Sequence, residues 1–485
     1  MRKNSNLLFF GILIKCCLLL TAYSILPNVF LFAQAGWGPD QRLVFMQGGG
    51  WYPRAACCGD TIHLVWWQAY IGHDEVFYKR STDAGETWEA DVRLSVEDAQ
   101  SSIVPIVDCM DSIVIVIWAE DDFGALLRKS TDGGLTWGII DSSLGGAGYM
   151  DIDITGDTIY LAGGRNPGDI VFRKSTDGGN TWLPLQVVGY GAYVRHAISL
   201  PMIGFVYEVN RYAMEIMFKR STDNGTTWSD SMIISDIDSM GSFKARISSD
   251  TIANVHTDWC DYKYSPYPWT GDIFYRASRD SGSTWEPIDS LTTQHRAVAS
   301  DILAEGSNLH LVWEDDRHDF GNNFEIYYRM STDLGQTWGN EARLTDALYH
   351  SYCPSLACGG GYLHLFWQDR REYGNNGSSA PLYYKRKTLT GISEEPATKN
   401  DIYGLSIDCP TILKKNALIF YCLGRYREGE VLIMDVIGRV IVEFPVRRVS
   451  GEFVWDFNKD VCHGVYFIML RAGASYTTKK VLVVR

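Results

Sequence analysis

Beyond its first 35 residues this 485-residue sequence has no apolar run approaching the roughly 18 residues that a membrane-spanning helix requires. It has no basic excess either, since 44 Lys and Arg stand against 58 Asp and Glu, for a formal charge of −14. That disfavours phosphate binding, and no nucleic-acid partner is expected, because such binding draws its affinity from counterions released by cationic side chains. No two cysteines form a C-x-x-C pair, so a zinc site is not expected. EF-hand spacing is absent, and nothing points to a nucleotide, haem or flavin; the expectation is no metal and no cofactor.

What is present favours short strands. Hydrophobic residues make up 46%, enough for a sizeable core, and aromatics reach 13%, with 16 Trp and 27 Tyr beside 46 Gly. Such a mixture suits many strands joined by tight turns. The length suggests two or three domains. Arg2 and Lys3 precede the apolar stretches 7–14 and 17–20, and Ala33-Gln34-Ala35 forms a small-x-small cleavage pattern before Gly36. Residues 1–35 therefore read as an export signal, with an uncleaved membrane anchor as the alternative, because Lys15 interrupts the apolar run. Of the 11 cysteines, nine lie beyond the signal, an odd number that leaves at least one thiol free or paired outside the chain. Cys57, Cys109 and Cys358 each follow a proline by four residues (Pro53, Pro105, Pro354), as equivalent small residues on a repeated buried strand would.

An octapeptide recurs six times: STDAGETW from Ser81, STDGGLTW from Ser130, STDGGNTW from Ser175, STDNGTTW from Ser221, SRDSGSTW from Ser278 and STDLGQTW from Ser331. The spacings of 49, 45, 46, 57 and 53 residues fit four strands and their turns. Asp83, Asp132, Asp177, Asp223, Asp280 and Asp333 are expected to fix the turn by accepting backbone N–H groups two residues on. The Gly supplies a positive φ and the Trp buries area between neighbouring sheets. The motif reads as a fold staple, not as chemistry.

Strands repeat around each box, as in TIHLVWWQ, NLHLVWED and YLHLFWQD. A seventh unit at 354–387 lacks both a box and a last strand. Trp37-Gly38-Pro39-Asp40-Gln41-Arg42-Leu43 matches residues 338–344 at W, G, R and L, so the N-terminal strand is expected to complete the seventh sheet and leave no open edge. These octapeptides resemble the Asp boxes, or BNR repeats, of the sialidase-like superfamily, over residues 36–390. The resemblance implies an all-β, seven-bladed β-propeller, with six blades as the alternative. It is specific for fold and not for activity, since such propellers include sialidases, other glycoside hydrolases, sorting receptors and assembly factors.

Residues 391–401 are polar and read as a linker. From Ile402 to Arg485 short alternating strands suggest a small β-sandwich. Residues 431–439 (VLIMDVIGR) and 464–467 (GVYF), with Lys479-Lys480 near the end, resemble the type A sorting domain of the bacterial type IX secretion system. That resemblance implies a partner in the secretion machinery and a secreted or outer-surface location.

Propellers bind ligands at the face where the inner strands begin, opposite the Asp boxes. Aligning the units puts Arg54, Ile106, Asp151, Arg195, Lys244, Asp301 and Ser355 at one inner-strand position. Pairing Asp151–Arg195 and Lys244–Asp301 accounts for most of those charges and leaves Arg54 as an anion ligand, its planar fork suited to a carboxylate. The 2–3 connections add Glu120, Asp121 and Asp122, then Glu314, Asp315, Asp316 and Arg317, then Asp369, Arg370 and Arg371. Asp315, Asp316, Arg317, Asp369 and Arg370 join Arg54 as ligand-binding candidates, with solvated surface charge as the alternative. A sialidase needs an arginine trio, a Tyr nucleophile with a Glu partner, and an Asp acid/base. Arg54, Arg195 and Arg246 could supply the trio, and Tyr207 with Glu208 the nucleophile pair. However, Tyr52-Pro53-Arg54 places its proline on the wrong side for that family's Arg-Ile-Pro motif. The leading expectation is a non-catalytic propeller binding glycan or extracellular protein; the alternative is a sialidase or other glycoside hydrolase.

Overall fold

The computed structural model describes residues 36–389 except 46–48, 71, 121–123, 143, 145–149, 166–167, 211–212, 251–252, 268, 319–322, 373 and 375–379. It also describes 406–483 except 409–411, 414–415, 423–427, 436–438, 448–449, 457–460, 462–463 and 473–474. The export signal, the linker, and Asp121 and Asp122 lie outside these residues. Among the described residues no helix occurs, and the chain divides into two compact units, Met1–Leu389 and Thr390–Arg485.

Among the described residues the first unit holds six four-stranded sheets and one three-stranded sheet, all antiparallel. Their first strands are Trp51–Cys58, Ser102–Met110, Met150–Thr155, Ala192–Ser199, Ser242–Ser249, Ala297–Glu305 and Ser351–Gly359. Each packs on the next, and the last packs on the first, which closes a ring. Every sheet is thus covered on both faces. That explains why second strands such as Ile113–Glu120 are nearly continuous apolar runs rather than alternating ones. The three-stranded second sheet gains an isolated bridge between Leu127 and Asp141 where the others have a fourth strand.

The seventh sheet takes its outer strand from the start of the chain. Gln41 pairs with Tyr384 and Arg42 with Tyr383, and an isolated bridge joins Trp37 to Lys387. Asp40 accepts Lys385 Nζ and Arg371 Nη2, each at 2.7 Å, while Trp37 meets Tyr328 of the sixth sheet edge-on at 5.4 Å.

All six boxes share one hydrogen-bond net. In the first, Ser81 Oγ donates to Asp83 Oδ1 at 2.8 Å and accepts Gly85 N at 2.9 Å. Thr87 donates its N–H to Asp83 Oδ1 at 2.9 Å and its hydroxyl to Oδ2 at 2.6 Å. The carboxylate therefore reaches four residues on rather than the expected two, because the serine hydroxyl serves the nearer N–H. These bonds to the charged form hold the Asp132, Asp177, Asp223 and Asp333 carboxyls down at about 2.

Box tryptophans pack on aromatics of the preceding sheet: Trp137 on Tyr78 at 4.9 Å, Trp285 on Phe218 at 4.9 Å and Trp338 on Tyr275 at 5.3 Å. Trp88 does the same across the ring closure, on Tyr384 at 5.3 Å. In four sheets a buried histidine bonds a tyrosine of the next strand: His63–Tyr78 at 2.7 Å, His256–Tyr275 at 2.8 Å, His310–Tyr328 at 2.9 Å and His364–Tyr384 at 2.8 Å. Burial keeps these imidazoles neutral, with pKa values pushed down to about 4. Cys57, Cys109 and Cys358 do occupy equivalent places, opposite Ile62, Val114 and Leu363, and are free thiols.

The second unit has a three-stranded sheet (Ser406–Asp408, Asn416–Cys422, Ser450–Asp456) and a five-stranded one. Strands Ile412–Leu413, Ser475–Val483, Gly464–Ala472, Gly429–Asp435 and Val440–Val446 form the latter, with Ile412–Leu413 parallel to its neighbour. Ile419 and Trp455 from the first sheet share an apolar core with Val431, Ile433, Ile468, Leu470 and Val481 from the second. Met434 pairs with Phe467 and Asp435 with Tyr466, and Asp435 accepts the Arg439 N–H and Nε at 2.9 Å each.

Candidate functional site

Six of the seven first strands carry a one-residue bulge near their start. In five of them a non-glycine residue takes a positive φ there: Tyr52 at 50°, Val104 at 52°, Tyr193 at 51°, Lys244 at 57° and Cys353 at 53°. Such backbone is costly for these side chains and tends to re-aim the residues beside it. Three of the freed N–H groups are met by a side chain of the preceding sheet. Glu208 Oε1 accepts Lys244 N at 2.7 Å, Glu314 Oε1 accepts Cys353 N at 2.6 Å, and Gln368 Oε1 accepts Tyr52 N at 3.3 Å.

The register fixes one equivalent position around the ring, two residues past the positive-φ residue in the five strands that have one. Arg54 lies opposite Val65, Ile106 opposite Ile117, Asp151 opposite Ala162 and Arg195 opposite Val206. Arg246 lies opposite Asp258, Asp301 opposite Val312 and Ser355 opposite Phe366. The fifth member is therefore Arg246 and not Lys244. The 1–2 turn of that sheet is wider, with Asp250 accepting Asn254 N at 2.9 Å and Asn254 Nδ2 at 2.7 Å, and this displaces the strand by two residues relative to its Ser-Asp-Thr-Ile sequence.

Arg54, Arg195 and Arg246 converge. All three line both an axial cavity of about 320 Å³ and a mouth cavity of about 640 Å³. Asp108, Asp151, Asp153, His196 and Asp301 also line the axial cavity. The mouth is walled by Tyr52, Trp67, Tyr193, Phe243, Tyr262 and Tyr352, with Lys244, Glu208 and Glu314 among them. Burial and the nearby Arg246 depress the pKa of Arg54, and the same causes bring Arg195 down to about 10, a sign that these cations repel one another.

The expected charge pairing is redistributed. Asp301 faces Arg246 at 3.6 Å, not Lys244. Asp151 takes His196, accepting its N–H at 2.9 Å and lying 3.5 Å from Nδ1, with Arg195 nearby. His196 Nε2 also stands 2.9 Å from Asp153, and despite burial these carboxylates raise its pKa. Among the described residues no hydrogen bond or ion pair engages the Arg54 guanidinium.

Other candidates fall elsewhere. Tyr207 is buried within the fourth sheet's core, its hydroxyl 2.6 Å from Ser231 Oγ; strand alternation points it away from the face on which Glu208 meets the mouth. It is therefore not placed as a nucleophile. Asp315 is buried and closed, accepting Trp313 Nε1 at 3.3 Å and a forked pair from Arg317 at 2.9 and 2.5 Å. Arg317 reaches Glu341 at 2.6 Å and covers the Tyr327 ring at 4.4 Å. Asp369 repeats this with Trp367 Nε1 at 2.9 Å and Arg371 at 2.6 Å, and Arg371 covers Tyr383 at 4.3 Å. Asp316 is buried and lies 3.6 Å from Arg296. Asp315, Asp316, Arg317 and Asp369 thus serve the scaffold rather than a ligand. Arg370 lies at the rim, its Nε 2.9 Å from the Tyr352 hydroxyl.

These carboxylates belong to a device that the sequence carries openly. Gln68, Glu120, Asp261, Asp315 and Asp369 each accept the indole N–H of a tryptophan two residues earlier. The W-x-[QED] spacing is the signal that identifies them. The aromatic wall has no such signal, because it is assembled from bulge residues and strand ends of several sheets.

No family model and no curated protein matches the chain. Among solved structures, an ulvan lyase of polysaccharide lyase family 25 aligns with a TM-score of 0.52 at 10% identity, over 72% of this chain and 96% of that one. A Dyadobacter fermentans protein of unknown function aligns at 0.47 and 12% identity, over 73% and 99%. The NanB sialidase of Streptococcus pneumoniae aligns at 0.42 and 12% identity, over 71% and 70%. The first of these likenesses shows that the chain shares its fold with the ulvan lyase, the ring of antiparallel sheets described above.

Proposed function

We propose that this chain is a seven-bladed propeller, exported to the medium or the outer surface of a bacterium, that binds a carboxylate-bearing glycan in its mouth. A C-terminal β-sandwich acting as a type IX sorting domain delivers it. One observation carries the binding reading: three guanidiniums from the first, fourth and fifth sheets meet on one cavity floor, and that of Arg54 has no protein partner among the described residues. A guanidinium offers a planar fork that matches a carboxylate, and aromatic walls suit the apolar faces of sugar rings. The same fold in the ulvan lyase was captured with a chain of glucuronate and 3-sulfated rhamnose.

Glu208 and Glu314 favour a second reading. Burial pushes both carboxyls above their ordinary range, as a general acid requires, and both line the mouth. Each, however, already serves a bulge N–H, and in the seventh sheet a glutamine does the same work. Binding without turnover is therefore the leading expectation.

A glycan array probed with the full chain, followed by a cleavage assay on every glycan bound, tests both readings. Acidic glycans are expected to bind, and Arg54→Ala to weaken them about 10- to 150-fold, the value of a lost charge-assisted bond of about 1.5–3 kcal/mol. Unchanged binding in that variant would refute the site. Cleavage abolished by Glu314→Gln would instead establish the hydrolase.

A further inference from the structure

The 2–3 connection of the fifth sheet, residues 262–267 and 269–271 of those described, carries Tyr264, Tyr267 and Trp269, which are 56%, 41% and 78% exposed. Single exposed aromatics need no explanation, but three on one short loop beside a cavity do.

The loop is pinned at its base and within. Tyr262 N donates to Gly241 O at 3.1 Å, and Gly271 and Ala297 exchange backbone bonds at 2.8 and 2.9 Å. A Cβ on Gly271 would stand 2.1 Å from the Asp261 carbonyl oxygen, so the chain pinches there. Inside the loop Tyr267 N donates to Ser265 Oγ at 3.0 Å, Ser265 N to Tyr262 O at 3.0 Å, and Thr270 Oγ1 to His295 O at 2.9 Å. Pro266 restricts the backbone further. Two of the rings are backed by neighbours. The Arg296 guanidinium carbon lies 3.6 Å from the Tyr267 ring centroid, and Tyr264 stacks on Phe274 at 6.1 Å with Lys263 Nζ 5.5 Å away. They are ordered before any ligand arrives, which lowers the entropic cost of binding.

The loop is continuous with the mouth. Tyr262, its first residue, lines the cavity and packs on Phe243 at 5.1 Å, and Phe243 lines the cavity too. The base of the loop therefore borders the mouth, and the three exposed rings stand on the residues that follow it.

We infer that Tyr264, Tyr267 and Trp269 form an outlying stacking subsite, and that the ligand is an acidic oligosaccharide chain rather than a single sugar. One acidic unit sits over Arg54, Arg195 and Arg246, and the following units lie against the loop. The stacking partner is the apolar, C–H-bearing face of a sugar ring, which complements the electron-rich face of Tyr and Trp. This inference rests on the glycan-binding reading and adds a chain length to it.

Calorimetric titration of the full chain with uronic-acid and sialic-acid oligomers of one to six units tests it. The affinity of the wild type is expected to rise roughly tenfold or more between monomer and tetramer. A Tyr264→Ala/Trp269→Ala variant should lose that gain while binding the monomer within about twofold of wild type, whereas Arg54→Ala should weaken monomer and tetramer alike. The emission of Trp269 should shift to the blue with the tetramer and not with the monomer. If the length-dependent gain survives the double variant, the subsite is wrong and the glycan-binding reading stands. If no member of either series binds, both fall.

Discussion

Replacing Gly335 with alanine probes the contact by which each Asp box is seated on the sheet before it. Gly335 has φ of +86°, and a Cβ there would lie 2.1 Å from the Tyr275 hydroxyl oxygen and 2.7 Å from its ring carbon. Tyr275 is buried and its hydroxyl is 2.8 Å from His256 Nδ1. The left-handed backbone alone costs an alanine about 1–2 kcal/mol. Displacing the tyrosine also leaves a buried imidazole nitrogen without its partner, which adds about 1–3 kcal/mol. A loss of about 3 kcal/mol is expected. Gly306 supplies the control, because its φ of +57° brings the same backbone strain with nothing within 4 Å of the added methyl. Gly306→Ala should cost only the strain, about 1–2 kcal/mol. Urea unfolding followed by tryptophan fluorescence measures both variants, with an unchanged m-value as the check that the same unit unfolds. Tyr275→Phe removes the hydroxyl, so Gly335→Ala should cost at least about 1 kcal/mol less in that background than in the wild type. Equal losses for Gly335→Ala and Gly306→Ala would refute the account of how neighbouring sheets are held.

Two further outcomes follow from the same geometry. Deleting residues 37–43 strips strand Leu382–Thr388 of its outer partner and takes Asp40 from Lys385 and Arg371. Light scattering should show concentration-dependent association through the bared edge, and a variant that stays monomeric and as heat-stable as the parent would contradict the closure. Asp258 is fully buried, and burial pushes its carboxyl up to about 7 from 3.8, with the Ser300 hydroxyl opposing the shift. The folded state then holds a proton that the unfolded chain releases above about pH 4, so stability falls as pH rises from about 4 to about 7 and levels off beyond. The total loss across that window should amount to about 4 kcal/mol at most, at about 1.36 kcal/mol per pKa unit, and Asp258→Asn should flatten the dependence in urea midpoints taken across that range.

Much of this arrangement is legible in the residues because it rests on local rules repeated six times. A Ser, an Asp, a positive-φ Gly and a Thr close one turn whatever surrounds them, and the spacing between copies measures out a sheet. Arg54 and Arg195 were approachable for the same reason, since strand starts can be counted from the repeat, whereas Arg246 entered only through the resemblance to sialidases. Counting failed at Lys244, where a wider turn held by Asp250 and Asn254 adds residues that the Ser-Asp-Thr-Ile sequence conceals. Loop charge misled as well. Asp315, Arg317, Asp369 and Arg371 look like a polar binding surface, but two of them are acceptors for buried indoles and the other two lie across tyrosine rings. The aromatic wall was illegible because left-handed backbone at Tyr52 and Tyr193 follows from how the sheets meet, which no local pattern announces.

The clasp between Gln41 and Tyr384 also sets a timetable. The opening strand leaves the ribosome hundreds of residues ahead of the one it must join, a wait of roughly 20–70 s at about 5–20 residues per second. Until the closing strand is in place, the incomplete ring is an arc with two unpaired ends, each able to take up a strand from another chain.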